Sequence, residues 1–470
     1  MMKRTVLILA LVFALALPSA AMAAAEFSLG GFIKLDTFWD STQEGKNMNT
    51  AVVRNNALLG HHGRLKFTAQ GSRFNFTIKG PKLWGATTTG FIEIDFDNQA
   101  DTQFFGTTAA GVPIGLNSRG ASQGYIPRLR HAMFRLNWPG TELMFGQYWS
   151  MLCEWWPELA QDGPYQFTGI PTARLAQIRV TQKFAGNWTV AALIGEPNPT
   201  AGSETYSAQN DRLIEGSETP QVQAKIQYQA DLWGKAAYYS KPTPFTVQIV
   251  GGWQRSVYQD AVRGVLLQGQ DAFSALAGRT RHQYVDPWII MGTAFIPVIP
   301  THSANLAGTM SLMTQWYIGQ GLGAFGFTNT ASEVFRFAGV NGLGVTIFDV
   351  DLQERFGGYL QAQYYFTNQW YLTGAWSMSK AIGVGYNDQD PFAVNAVTNP
   401  LGYANGFIAD QVDTRHEFNL CLWYRPISAI KFGLQYSYVR NTYFQNTAVG
   451  STVTNLGDAH RVEFVGLFYF

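Results

Sequence analysis

The last eleven residues of the chain alternate between apolar and polar side chains, and this pattern constrains the fold more than any other stretch. Read at a period of two, one face carries Val462, Phe464, Phe468 and Phe470. The opposite face carries Arg461 and Glu463. Successive side chains of a strand point to opposite faces, so this segment predicts a strand with one apolar and one charged surface. It is about long enough to cross a bilayer when tilted.

Composition agrees with strands that face lipid. Only 14% of the residues are charged, against about a quarter in typical soluble proteins, and 14% are aromatic. Beyond residue 23 no segment is long and apolar enough to span a bilayer as a helix, since the best candidate, Trp288–Ile299, is short and contains Pro297. Such a chain can satisfy its backbone in lipid only as a closed barrel. The predicted fold class is an all-β transmembrane antiparallel β-barrel.

Similar alternating segments of about ten residues recur along the chain. The clearest are Thr88–Asp97 and Gln221–Gln229. The count is about sixteen strands, or about eighteen if Val334–Asp351 adds a hairpin to the barrel. Short turns join strands at one end and longer loops at the other. The alternation slips at Gly71 within the segment from Arg64 to Lys79, which indicates a bulge or the end of the lipid-facing zone.

The first residues have the three parts of a secretory signal peptide. Lys3 and Arg4 supply a basic start, Val6–Leu17 an apolar run, and Ala21-Met22-Ala23 a cleavage site of small residues. A membrane-anchoring helix is disfavoured because the apolar run is short. We expect residues 1–23 to be removed and residues 24–470 to form a single barrel domain.

The order of elements over residues 24–470 resembles the trimeric porins of Gram-negative outer membranes, including the branch that prefers small dicarboxylates. The resemblance is carried by Arg128-Leu129-Arg130-His131-Ala132, by Phe145-Gly146-Gln147-Tyr148-Trp149 across the next hairpin, and by the terminal Phe470. It implies a homotrimer in the outer membrane, in contact with its lipid and with lipopolysaccharide. It also implies that the loop after the fifth strand, Ser150–Thr172, folds inward and narrows the pore.

If the loop lies in the lumen, its carboxylates give the constriction a negative side: Glu154, Glu158 and Asp162. Arginines on the surrounding wall would oppose them, with these candidates: Arg73, Arg128, Arg130, Arg135, Arg179 and Arg415. Opposed charges across a narrow wet pore orient and filter solutes. The alternative is an extracellular loop whose tryptophans lie in the aromatic girdle. The arginines could equally form lumenal ion pairs, and Arg128 and Arg130 can both point inward only if a mid-strand bulge or a position above the lipid corrects their parity with Phe134.

The two cysteines offer a separate hypothesis. Cys421 shares parity with Arg415, Glu417 and Asn419 and should face the lumen, and Cys153 lies in the inward loop. A disulfide between them would pin the loop to the far wall in an oxidising compartment. The alternative is a free Cys153 packed near Trp155.

The predicted function is passive diffusion of small hydrophilic solutes and ions across the outer membrane. The alternatives are a channel selective for small anions such as dicarboxylates, and a non-conducting structural or adhesive barrel. No Walker loop, G-x-S-x-G elbow or H-E-x-x-H motif is present, so we expect neither an enzyme nor a cofactor. His61-His62 has no second ligand cluster at metal spacing. The net charge of +1 gives no reason to expect a nucleic-acid partner.

Overall fold

A computed structural model describes the chain over residues 25–42, 55, 63–97, 104–107, 113–115, 127–160, 168–197, 214–217, 219–259, 282–327, 333–340, 346–383, 412–443 and 456–470. Sixteen strands form its main sheet: β1 (Glu26–Asp40), β2 (Arg64–Thr68 and Arg73–Lys79), β3 (Thr87–Asp95), β4 (Arg128–Asn137), β5 (Thr141–Trp149), β6 (Arg174–Phe184), β7 (Trp188–Gly195), β8 (Gln221–Ala230), β9 (Phe245–Trp253), β10 (Trp288–Ile299), β11 (Met310–Gln320), β12 (Glu354–Tyr365), β13 (Trp370–Gly383), β14 (Val412–Ile427), β15 (Ile430–Tyr443) and β16 (Leu456–Tyr469).

The sheet closes on itself into an antiparallel barrel. Each strand pairs with the next in the chain, and β16 returns to pair with β1, so that Phe32 lies opposite Tyr469 and Asp40 opposite Arg461. Closure leaves no open edge, as a sheet in lipid requires. The prediction of a closed barrel of about sixteen strands is confirmed. The eighteen-strand alternative is wrong, because Glu333–Val340 and Thr346–Leu352 pair with each other in a separate sheet.

The second strand is interrupted where the sequence pattern slips. Its first part pairs with β1 from Asp40 to Asp36, and its second part from Phe32 to Glu26. Residues 69–72 leave the ladder between them, and Ser72 donates its backbone N–H to the Ala69 carbonyl at 3.0 Å. The interruption expected at Gly71 is therefore present.

The two faces of the wall differ as the alternation predicts. On β16, Val462 and Phe464 are each 43% exposed on the outer face, whereas Arg461 and Glu463 are 1% exposed on the inner face. Much of the inner face carries buried amides and hydroxyls, including Gln221, Gln223, Gln248, Gln315, Gln361, Gln363, Thr373, Asn419, Gln435 and Ser437. An apolar outside and a polar inside are the arrangement of a barrel in a bilayer.

The barrel has one end of mostly short turns and one end of long loops. Residues 138–140, 185–187 and 428–429 are examples of the short connections, and residues 41–63 and 254–287 of the long ones. Further small sheets pair Phe104–Thr107 with Pro113–Gly115, and Ser256–Gln259 with Ile214–Gly216 and His282–Val285. Two 3-10 helices, Met151–Cys153 and Leu322–Phe325, occur in the described residues.

Aromatic side chains ring the outer face near the turn end. Stacked or tilted pairs lie at the strand ends: Phe184 with Trp188, Trp188 with Tyr228, Trp233 of the β8–β9 connection with Phe245, and Trp370 with Tyr424. Aromatic rings favour the polar boundary of a bilayer. None of the described residues forms a helix with the length and apolar character needed to traverse a bilayer.

Candidate constriction site in the barrel lumen

The loop between β5 and β6 folds into the barrel, as the sequence analysis predicts. The loop turns inward at Ser150. The Ser150 Oγ accepts a hydrogen bond from the Leu152 N–H at 3.2 Å and caps the 3-10 helix Met151–Cys153. Met151 and Leu152 are fully buried. They pack on apolar side chains of the inner wall: Leu175, Leu193, Val250, Ile289, Met291 and Phe325. Burial of apolar surface thus docks the start of the loop against one side of the lumen.

Trp155 anchors the middle of the loop. Its ring stacks on that of Phe295 with 25° between the planes and 6.0 Å between the centroids, and its Nε1 donates to Gln248 Oε1 at 3.2 Å. Its carbonyl accepts a hydrogen bond from the Tyr359 hydroxyl at 3.2 Å. Buried tryptophans need a partner for the indole N–H, and the inward glutamine of β9 supplies it.

Glu158 holds the loop to the opposite wall. Its carboxylate accepts from Lys431 Nζ at 2.5 Å, the Tyr371 hydroxyl at 2.7 Å and Gln363 Nε2 at 2.8 Å. Its backbone N–H donates to Gln361 Oε1 at 2.7 Å. Burial acts to raise the pKa of Glu158, but the Lys431 ammonium and the hydrogen bonds outweigh it and keep the pKa below its usual range. Glu158 is therefore a charged tether.

Two further contacts complete the crossing of the lumen. The Ala160 N–H donates to Gln435 Oε1 at 2.8 Å, and its carbonyl accepts from Lys34 Nζ at 3.1 Å. Farther along, the Thr168 hydroxyl accepts from Arg415 Nε at 2.7 Å and donates to Glu417 Oε2 at 3.2 Å. The loop therefore spans from β5 and β6 to β14, β15 and β1.

The two loop carboxylates within the described residues both form ion pairs. Glu154 lies 2.6 Å from Lys225 Nζ and 3.4 Å from Arg179 Nη1, and Glu158 lies against Lys431. Asp162 falls outside the described residues. Glu154 thus pairs on the side of the wall where the loop begins and Glu158 on the opposite side, and the shortest contact of each carboxylate is with a lysine that was not among the predicted residues. Parity would have found them, since Lys225 shares the inward face with Gln223 and Gln227, and Lys431 shares it with Gln435.

The candidate arginines lie in three places. Arg179, Arg415 and Arg73 lie at the loop or at the cavity beside it. Arg128 and Arg130 pair with carboxylates of the neighbouring strand: Asp95, Asp97 and Glu93. Arg135 pairs with Glu142 at 3.2 Å near the turn end.

A bulge explains how Arg128 and Arg130 both point inward. The pairing of β4 with β3 shifts register where Glu93 lies opposite His131 and Ile94 opposite Leu129. Arg130 is the extra residue, and a bulge re-aims side chains in this way. Leu129 and Phe134 are consequently both exposed on the outer face.

A cavity of about 270 Å³ remains between the loop and the wall. Three cations and one carboxylate line it: Lys34, Arg73, Lys431 and Glu158. Its aromatic lining comprises Phe32, Trp149, Trp156, Tyr239, Trp423 and Tyr469. The cavity is thus bordered by aromatic rings and mostly by positive charge.

The cysteines do not form the hypothesised disulfide. Cys153 and Cys421 are both buried free thiols, and they belong to different apolar clusters. The Cys153 Sγ donates to the Pro171 carbonyl at 3.1 Å, which fixes the returning part of the same loop instead of the far wall. Burial raises the pKa of the Cys153 thiol to about 12, so it stays protonated and unreactive.

No metal site is formed by the described residues, in the sense that no group of three or more His, Cys, Asp or Glu converges. His61 and His62 lie outside the described residues.

An apolar outer belt, a closed sixteen-stranded wall and a loop held across a polar lumen together define a transmembrane β-barrel. The outer membrane channel DcaP of Acinetobacter baumannii has this fold, with a TM-score of 0.62 at 15% identity over 95% of this chain and 98% of that one. OprB of Pseudomonas putida aligns over 94% of both chains with 10% identity and a TM-score of 0.49. No protein-family model and no curated protein matches the sequence.

Proposed function

We propose that the protein is an outer-membrane channel through which small hydrophilic solutes and ions diffuse passively. The observation that carries this proposal is the cavity left beside the pinned loop, because its lining is charged and polar in part. Charged side chains around a narrow aqueous passage keep it wet and filter solutes by charge. Diffusion of this kind uses no catalytic group, cofactor or energy source.

Reconstitution into planar bilayers tests the proposal. We expect stepwise insertions with steady, ohmic single-channel conductance in potassium chloride. A protein that inserts and shows heat-modifiable gel mobility but passes no current would contradict it. That outcome would favour a structural or adhesive barrel.

A second candidate is selectivity for small anions such as dicarboxylates. It is supported by Lys34, Arg73 and Lys431, which line the cavity with Glu158 as the one lining carboxylate. Lys431 pairs with that carboxylate, and Lys34 pairs with Asp36 at 2.8 Å. The reversal potential in a salt gradient should then show anion preference, and Arg73→Gln should weaken it. Lys82→Gln, which removes an exposed charge at the turn end, is the matched control. Equal reversal potentials for wild type and Arg73→Gln would argue against this selectivity.

The proposal includes export by the signal peptide of residues 1–23, assembly as a homotrimer and contact with lipopolysaccharide. The last is supported by Lys380 on β13 and Arg440 on β15, which are exposed near the loop end of the barrel on either side of β14. Cations at that level suit lipid phosphates. A heat-sensitive oligomer on native gels, with three subunits by cross-linking, would support the assembly.

A further inference from the structure

A second segment enters the lumen from the opposite end of the barrel. The connection between β8 and β9, residues 231–244, is longer than most of its neighbours at the turn end, and it forms a hairpin of Ala236–Tyr238 and Lys241–Thr243. Ala236 and Ala237 are buried, and the Ala237 carbonyl accepts from the Ser311 hydroxyl of β11 at 3.1 Å. The hairpin thus packs along the inner wall and does not project from the barrel.

The tip of this hairpin meets the inward loop. Tyr238 accepts the Trp156 N–H at 3.1 Å, and its ring lies 4.9 Å from that of Trp155. The Tyr239 hydroxyl donates to the Pro157 carbonyl at 3.0 Å. Two segments that enter the barrel from opposite ends therefore contact each other inside it.

The backbone at the tip is unfavourable for the residues that occupy it. Tyr239 and Ser240 have φ values of 47° and 59°, and Tyr238 pairs with Lys241 across them. A two-residue hairpin turn with two positive φ values strongly prefers Asn-Gly, Asp-Gly or Gly-Gly. Side chains at such positions cost free energy and persist where the surroundings hold them, often at functional sites.

The side chains at the tip have contacts that Asn-Gly could not make. Tyr239 is 41% exposed, borders the cavity, and lies 6.0 Å from Lys431 Nζ across its ring. The Ser240 hydroxyl lies 3.2 Å from the Tyr365 hydroxyl. The unfavourable turn thus places an aromatic ring on the passage and fixes the tip to the wall.

We propose that this hairpin tip is a second constriction element and that Tyr239 is a specificity-determining residue of the passage. Its ring limits the cross-section available to solutes, and its hydroxyl holds the inward loop at Pro157. The inference rests on the proposed channel function. It adds a second restriction on solutes, formed by a connection from the turn end of the barrel.

The test is the double variant Tyr239→Asn with Ser240→Gly. These residues suit the turn better, which offsets the lost contacts of the tip, so the barrel should still fold and insert. We expect single-channel conductance to rise by roughly 1.3- to 2-fold and larger neutral sugars to pass, since pore width sets both. Tyr239→Phe keeps the ring and should retain the wild-type size limit while current fluctuations increase.

Ala185→Asn is the matched control. Ala185 and Gly186 lie in the three-residue connection 185–187 at the same end, also with positive φ values, 48° and 72°, but they are exposed to solvent. This variant should conduct as wild type does. Unchanged conductance and size limit in the double variant would overturn the inference alone. Absence of current in wild type and Ala185→Asn would instead overturn the channel function.

Discussion

At the scale of single residues, the inward loop depends on Glu158 and Lys431. Both side chains are almost fully buried, and the same lysine lies 3.6 Å above the ring centre of Trp423. Removing one partner of a buried ion pair leaves the other charge without compensation, which is far more costly than the pair is worth.

Lys431→Met is therefore expected to destabilise the protein strongly, by roughly 3 kcal/mol. Its unfolding free energy in urea, measured in detergent, gives the cost. The double variant Lys431→Met with Glu158→Gln removes both charges and should recover much of the loss. A single variant as stable as wild type would show that Glu158 is hydrated and does not rely on Lys431.

At the scale of the strands, one glycine makes room for Trp423, the side chain that contacts both Glu158 and Lys431. Trp423 on β14 lies directly opposite Gly433 on β15, and the indole Nε1 donates to the Glu158 carbonyl at 3.3 Å. A Cβ at position 433 would lie 2.5 Å from Cζ3 of that indole. The close approach of ring and backbone therefore requires glycine.

Gly433→Ala should displace Trp423 and cost about 1–3 kcal/mol, as overpacking does. Gly466→Ala is the control, because the nearest atoms to its Cβ are those of Phe432 at 3.7 Å, an ordinary contact. Thermal or urea unfolding of the two variants gives the comparison. Equal stability of both would mean that Trp423 moves aside without loss.

At the scale of the whole molecule, the wall separates lipid from a wet interior. Leu420 lies near the middle of β14 on the outer face, and Thr414 lies on the same face near the loop end. The cost of an arginine on the lipid face depends on depth, about 2–4 kcal/mol at the midplane and about 0–1 near the interface.

Leu420→Arg should accordingly lower the unfolding free energy in liposomes by roughly 2–4 kcal/mol, and Thr414→Arg by less than about 1. Equilibrium urea titrations of both variants measure the difference. If Leu420→Arg cost no more than Thr414→Arg, the outer face of β14 would not contact lipid hydrocarbon.

The sequence by itself determined the barrel, because the alternation of side chains is a local property with a period of two. Parity placed Arg461 and Glu463 inside and Phe464 outside before any partner strand was known. It also predicted the interruption at Gly71, and it gave a bulge as one way for Arg128 and Arg130 both to face inward. Strand number followed from segment length, except for Val334–Asp351, which has strand character but pairs outside the wall.

Only the tertiary structure decided what meets inside the lumen. Glu158 lies more than two hundred residues from Lys431, and Tyr239 reaches Pro157 from the opposite end of the barrel. No local pattern encodes these contacts, since they depend on how far each connection extends into the closed wall. The cysteines illustrate the same limit: both face inward, yet the loop path buries them in separate clusters.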